Sequence, residues 1–192
     1  MAHRSTPDSA ADPRPRLWAP WRIEYVSSLG EHGKGSVKDS ATGCFFCDAC
    51  ACRRDDGSFD EALADEMMVL VCDERGLMLM NRYPYSNGHL LIAPHAHVPA
   101  LKDLGPDERA GLMELAELAT RLQETALGTH GANIGINMGR CAGAGVPGHL
   151  HMHVVPRWHG DISFMEVTAG VKVIPQALET SFAKLRDALG RV

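Results

Sequence analysis

No stretch of the sequence approaches the ~18 consecutive apolar residues that a helix needs to cross a bilayer, so no helical membrane span is expected. The opening Met1-Ala2-His3-Arg4-Ser5-Thr6-Pro7-Asp8 lacks the apolar core of a secretory signal, and a cytoplasmic protein with reduced thiols is the expectation. A basic surplus is also missing. With 19 Lys and Arg against 24 Asp and Glu, the net charge of -5 gives no surface on which to neutralise many phosphates. A nucleic-acid polymer is therefore not an expected partner, and any phosphate ligand must be held locally. There is no internal repeat and no repeated strand-helix-strand alternation, which argues against solenoids and parallel doubly wound sheets. Six cysteines in 192 residues are too sparse for a disulfide-stapled minidomain.

What is present divides the chain into recognisable pieces. Residues 1–16 are rich in Pro, Arg, Ser, Asp and Ala without apolar periodicity and read as a disordered leader; a single domain is expected over residues 17–192. Residues 17–26 form an aromatic segment with Trp18, Trp21 and Tyr25, followed by a Gly, Ser and Lys-rich loop to residue 43. A polar loop is expected over residues 53–60. Residues 67–72, 77–81 and 89–93 are apolar enough for strands, and Tyr83-Pro84-Tyr85-Ser86-Asn87-Gly88 supplies the turn of a hairpin between the last two. Pro106-Asp107-Glu108 opens an amphipathic helix to about Gly128, with Leu112, Leu115, Ala116, Ala119 and Leu122 at helical spacing. Strands over residues 133–138 and 149–155 flank a glycine-rich loop, and residues 175–189 close the chain as a weaker helix. That order predicts an α+β fold: a mainly antiparallel sheet of about five strands, one long helix and a C-terminal helix.

The chemistry concentrates in His149-Leu150-His151-Met152-His153. On a strand, side chains at i, i+2 and i+4 share a face, so the three imidazoles line one side while Leu150, Met152 and Val154 take the other. A solvated surface strand or part of a metal site is the plainer reading of one such histidine. Three at strict period two, after a Gly/Ala loop and before Pro156-Arg157, point instead to function, because imidazole serves near neutral pH as nucleophile, proton carrier or ligand. A second feature is Cys44-Phe45-Phe46-Cys47, whose spacing suits a metal or a redox couple.

At these residues the sequence resembles the histidine-triad (HIT) family, the alternating histidines being followed by Val154-Val155-Pro156-Arg157. The resemblance extends to Leu17-Trp18-Ala19-Pro20-Trp21-Arg22, Asn81-Arg82-Tyr83-Pro84-Tyr85, Gly88-His89-Leu90, Pro94-His95-Ala96-His97-Val98 and Asn133-Ile134-Gly135-Ile136-Asn137-Met138-Gly139, and is strongest to the bacterial branch that includes diadenosine tetraphosphate phosphorylases. It implies that His151 attacks the α-phosphorus of a dinucleoside polyphosphate to form a nucleotidyl-histidine, which water or inorganic phosphate then cleaves. It further implies that His149 and His153 contact the phosphate, that Asn81 lies near the ribose and α-phosphate, and that Asn137 lies on the phosphate side. Gly145 belongs to a loop whose backbone N–H groups approach the phosphates. Where relatives carry Gln with Ser or Thr to assist the leaving group, this chain reads Gly145-Val146.

The same resemblance implies structural zinc on Cys44, Cys47, His97 and His149; the alternative is a pair of reduced thiols, with His149 binding phosphate directly. No organic cofactor is expected. Cys50 and Cys52 stay outside that ligand set, Cys72 reads as packing, and Cys141 in the glycine-rich loop is a possible substrate contact. The resemblance also implies a homodimer paired through the long helix and an adjoining strand; the aromatic segment then either brings Trp18 or Trp21 to the partner's nucleotide pocket as a stacking face or simply caps the sheet. A nucleotide-binding adaptor with little turnover leaves the presence of His151 unexplained. A purely structural zinc module leaves both His151 and His153 unexplained.

Overall fold

The longest helix begins where the sequence supplies a stop for extended chain and a start for helix. Pro106 takes the first helical position, where its missing N–H costs nothing, and the Glu108 carboxylate accepts from the Gly105 N–H at 2.7 Å. Gly128 ends the helix in the left-handed region at φ 62°. In this computed structural model, which describes residues 42–54, 56, 58–162, 168 and 173–192, the elements are α1 (Phe45–Cys50), α2 (Glu61–Met67), β1 (Val69–Asp73), β2 (Gly76–Met80), β3 (Leu90–Ala93), α3 (Pro106–Leu127), β4 (Gly131–Ile136), β5 (Met152–Arg157) and α4 (Leu178–Ala188). The leader and the Trp18/Trp21 segment lie outside the described residues. No described helix is long and apolar enough to cross a membrane.

The five strands form one antiparallel sheet in the order β1-β2-β3-β5-β4, so the α+β expectation and the 77–81/89–93 hairpin both hold. One face of the sheet packs on α3 and α4. Met78, Met80, Leu90, Ile92, Met152 and Val154 meet Leu112, Leu115, Ala119, Leu122 and Leu185 there. Each such leucine contributes about 2 kcal/mol by leaving water. On the other face, Leu77, Leu79, Leu91 and Ala93 pack under Cys44, Phe46, Ala49 and Cys52 of α1 and its flanks. Because both faces of β2 and β3 are buried, these strands read as unbroken apolar runs.

Three strand boundaries need correction, the strand expected over 133–138 lying at Gly131–Ile136, and α2 is a helix that the sequence reading lacks. Met67 belongs to α2 and Met68 is its left-handed cap at φ 55°, so β1 starts only at Val69. The signal for α2 stands in what reads as a polar loop: the Asp60 carboxylate accepts from the Leu63 N–H at 3.1 Å, an N-cap. The last strand begins at Met152, so His149 and His151 precede it. Its partner strand β3 ends at Ala93, and Pro94 has no N–H with which to continue a ladder. The chain nevertheless stays extended enough that Leu150, Met152 and Val154 all enter the α3-side core, with the Leu150 N–H donating to the Val98 carbonyl at 2.7 Å.

Candidate active site and metal centre

Strand register decides which side chains meet on the face away from α3 and α4. Asn81 stands opposite His89, its N–H donating to the His89 carbonyl at 2.9 Å; Leu91 pairs with His153, and His153 with Gly135. Gly135 brings no side chain to that row, and His153 there is half-buried. Carried one residue beyond Ile136↔Met152, the register sets Asn137 opposite His151. Among the described residues the apolar cover reaches these histidines through Phe46, whose ring lies 5.1 Å from that of His149 and 4.9 Å from that of His151.

Hydrogen bonds then fix where each imidazole carries its proton. His151 Nδ1 lies 2.9 Å from the His149 carbonyl, which can only accept, so Nδ1 carries the hydrogen and Nε2 keeps a bare lone pair. Burial lowers the pKa of His151, and this backbone bond opposes the shift only in part. The neutral ring is thus the favoured form, and its nucleophilic nitrogen is defined.

His153 is set by a longer chain of contacts. The Tyr85 N–H donates to His89 Nδ1 at 3.2 Å, which makes Nε2 the protonated nitrogen of His89; that nitrogen donates to His153 Nδ1 at 3.1 Å. The proton of neutral His153 therefore sits on Nε2. Asn81 supports the arrangement: its Oδ1 accepts from the Tyr83 N–H at 2.9 Å, leaving Nδ2 to donate to His89 Nδ1 at 3.2 Å. His89 is fully buried under the Tyr85 ring, at 4.9 Å. The residue was not singled out by pattern, since one histidine at a strand start has no period; its signal was its place in Gly88-His89-Leu90. Gly88 adopts φ 70°, and a side chain there would collide with Leu127 Cδ1. Gln123 of α3 secures the strands behind these histidines, its Nε2 donating to the carbonyls of Gly88 and Val154 at 3.0 and 3.1 Å.

His149 points elsewhere. Its Nε2 lies 2.9 Å from the Pro94 carbonyl, so Nε2 is protonated and Nδ1 faces Cys44 Sγ at 3.3 Å and Cys47 Sγ at 3.6 Å. Cys47 Sγ is 3.2 Å from His97 Nδ1. All four expected donors thus converge, their ligand atoms within 4.8 Å of one another. Cys44 caps α1 and Cys47 lies in its first turn, so the short helix closes the Cys-x-x-Cys spacing into a pincer. Burial, followed by the hydrogen bond with Cys44, pushes the Cys47 thiol up to about 11. A cation between the sulfurs reverses that preference by favouring thiolate. Two thiols and two oriented imidazoles are the donor set that tetrahedral zinc favours, and the cluster can hold a metal ion.

The remaining expected residues are less engaged. Asn137 follows β4 half-buried, Gly145 lies half-buried in the loop before His149, and Cys141 is exposed on the turn Arg140–Ala142. Cys72 is buried as expected, but its thiol also contacts other cysteines.

Residues 64–160 match the HIT domain family model. An AP-4-A phosphorylase of Mycobacterium tuberculosis (strain ATCC 25618 / H37Rv) is 35% identical over 172 residues, covering 85% of this chain and 78% of the relative. The bis(5'-nucleosyl)-tetraphosphatase [asymmetrical] of Schizosaccharomyces pombe is 38% identical over 84 residues, 44% of this chain and 46% of its own. Among solved structures, a Zn-bound histidine triad family protein from Mycobacterium smegmatis superposes with a TM-score of 0.54 at 33% identity, covering 65% of this chain and 84% of that one.

Proposed function

Since the chain belongs to the histidine-triad family, we propose that it is an enzyme cleaving dinucleoside polyphosphates such as diadenosine tetraphosphate by phosphorolysis, with His151 as nucleophile. The observation that carries the reading is the Nδ1–H bond of His151 to the His149 carbonyl, which leaves Nε2 unprotonated at the face where substrate must approach. In the first half-reaction an Nε2–P bond forms at the α-phosphorus while the bond to the bridging oxygen breaks, and the rest of the polyphosphate departs with that oxygen. In the second, an oxygen of inorganic phosphate attacks the same phosphorus and the N–P bond breaks, returning the electron pair to Nε2. His153 donates its Nε2–H to a non-bridging oxygen, where charge concentrates in both transition states. His149 contributes its carbonyl to the nucleophile. Asn81 orients His89, and through it His153. Asn137 and the backbone around Gly145 border the phosphates.

The identity of the second acceptor has a direct readout. Incubated with diadenosine tetraphosphate, the protein is expected to give ADP and ATP only when inorganic phosphate is present. AMP and ATP formed at an equal rate without phosphate would make it a hydrolase and overturn the phosphorolysis reading; the phosphorylase relative, matched over 85% of this chain, supports the expected outcome.

Residues 17–192 are proposed as one HIT domain that binds one zinc ion on Cys44, Cys47, His97 and His149. Zinc there would cross-link α1 to the segment between β3 and α3 and to His149, two residues before His151. A homodimer is the proposed assembly. Of the apolar set on α3, Leu112, Leu115, Ala119 and Leu122 are spent on the chain's own core, but Met113 remains 58% exposed, and β4 is an edge strand with Ile134 at 46%. Sedimentation equilibrium at micromolar concentration is expected to give twice the chain mass; a monomer mass would remove the dimer.

A further inference from the structure

A second group of metal-compatible donors lies outside the four-residue cluster. The ligand atoms of Cys50, Cys72 and His95 are within 4.8 Å of one another. The three come from separate elements: Cys50 ends α1, one helical turn beyond Cys47; Cys72 lies in β1; His95 follows Pro94 after β3. Cys72 is buried, Cys50 half-buried and His95 exposed. The Cys72 thiol donates to the Cys50 carbonyl at 3.8 Å.

We propose that Cys50, Cys72 and His95 form a second binding site for a thiophilic divalent ion such as zinc(II), with water in the fourth position. Three points separated by no more than 4.8 Å leave room for an ion within roughly 2.8 Å of each, which small side-chain shifts bring to the ~2.3 Å of a zinc–sulfur bond and the ~2.0 to 2.1 Å of a zinc–nitrogen bond. Two soft sulfurs and one imidazole select zinc over calcium or magnesium, which take oxygen donors. The imidazole is already oriented. His95 Nε2 lies 2.5 Å from the Asp73 carbonyl and so carries the hydrogen, leaving the lone pair on Nδ1, the arrangement that His149 shows with the Pro94 carbonyl. Two reduced thiols packed for their volume alone do not explain why an exposed imidazole should be oriented beside them. On binding, each thiol releases its proton to solvent and both sulfurs ligate as thiolates. The ion would join the end of α1 to β1 and to the segment after β3, beside the junction made by the four-residue centre but through different side chains.

The test is a cobalt(II) titration of the metal-free full chain, kept reduced with a phosphine. Thiolate-to-cobalt absorption is expected to saturate at two equivalents per chain. His95→Ala, which alters an exposed side chain, and Cys72→Ser should each saturate at one equivalent. Cys47→Ser should lose the four-ligand equivalent and keep the other. Saturation of the wild type at one equivalent that persists in His95→Ala and Cys72→Ser, or at two that persist in both, would overturn the proposal. Loss of the Cys47-dependent equivalent alone bears on the four-ligand centre, so the two sites fail separately.

Discussion

Replacing His151 with alanine is expected to lower kcat by at least ~10³-fold while leaving dinucleotide binding close to that of the wild type, because the substitution removes the atom that bonds to phosphorus and little that holds the nucleoside. The neighbouring carbonyl of His149, the buried ring of Phe46 and the His89–His153 pair all remain in place. Rapid quench with substrate labelled at the α-phosphate should show label on the wild-type protein and none on the variant. Retention of a tenth of wild-type turnover would sink His151 as nucleophile, whatever became of binding.

The second large effect is on stability. Removal of one donor by Cys44→Ser, Cys47→Ser or His97→Ala is expected to abolish tight binding at the four-ligand centre. An ion present at ~1,000 times its Kd stabilises the folded state by about 4 kcal/mol, and for a chain of this size each kcal/mol moves Tm by roughly 2 to 4 °C. A Tm lowered by about 10 °C is therefore expected for these variants and for chelator-treated wild type. Cys44 and His149 are buried, so the sequestered donors lose their ion and regain no water in exchange. Purified protein with no bound zinc under reducing, chelator-free conditions, or variants that melt with the wild type, would remove the centre from the account.

Much of this was legible in the sequence because it was written in periods. The 3.6-residue spacing of Leu112, Leu115, Ala119 and Leu122, bracketed by Pro106 and Gly128, located α3 to within a residue. The alternation of histidine with Leu150, Met152 and Val154 correctly separated the two faces even where no regular strand forms. Boundaries set by long-range partners were not legible: nothing near His149 records that Pro94, 55 residues earlier, ends the neighbouring ladder. The helices α1 and α2, of 6 and 7 residues, are too short for an amphipathic period and owe their place to tertiary packing and one Asp60 cap. His89 escaped for a related reason. Its role rests on two neighbours, Asn81 by strand pairing and His153 across the sheet, and neither relation has a signature in local spacing.

His149 carries two duties on two different parts of one residue. Its ring belongs to the Cys44/Cys47/His97 cluster, whereas its peptide oxygen accepts the Nδ1 proton of the proposed nucleophile. Substitution can erase the first and leaves the second chemically intact, since every amino acid brings the same carbonyl. A change of side chain at this position is therefore compatible with the same hydrogen bond, provided the backbone keeps its path. The placing of the proton on His151 is inherited through the course of the chain and is not spelled by any side chain.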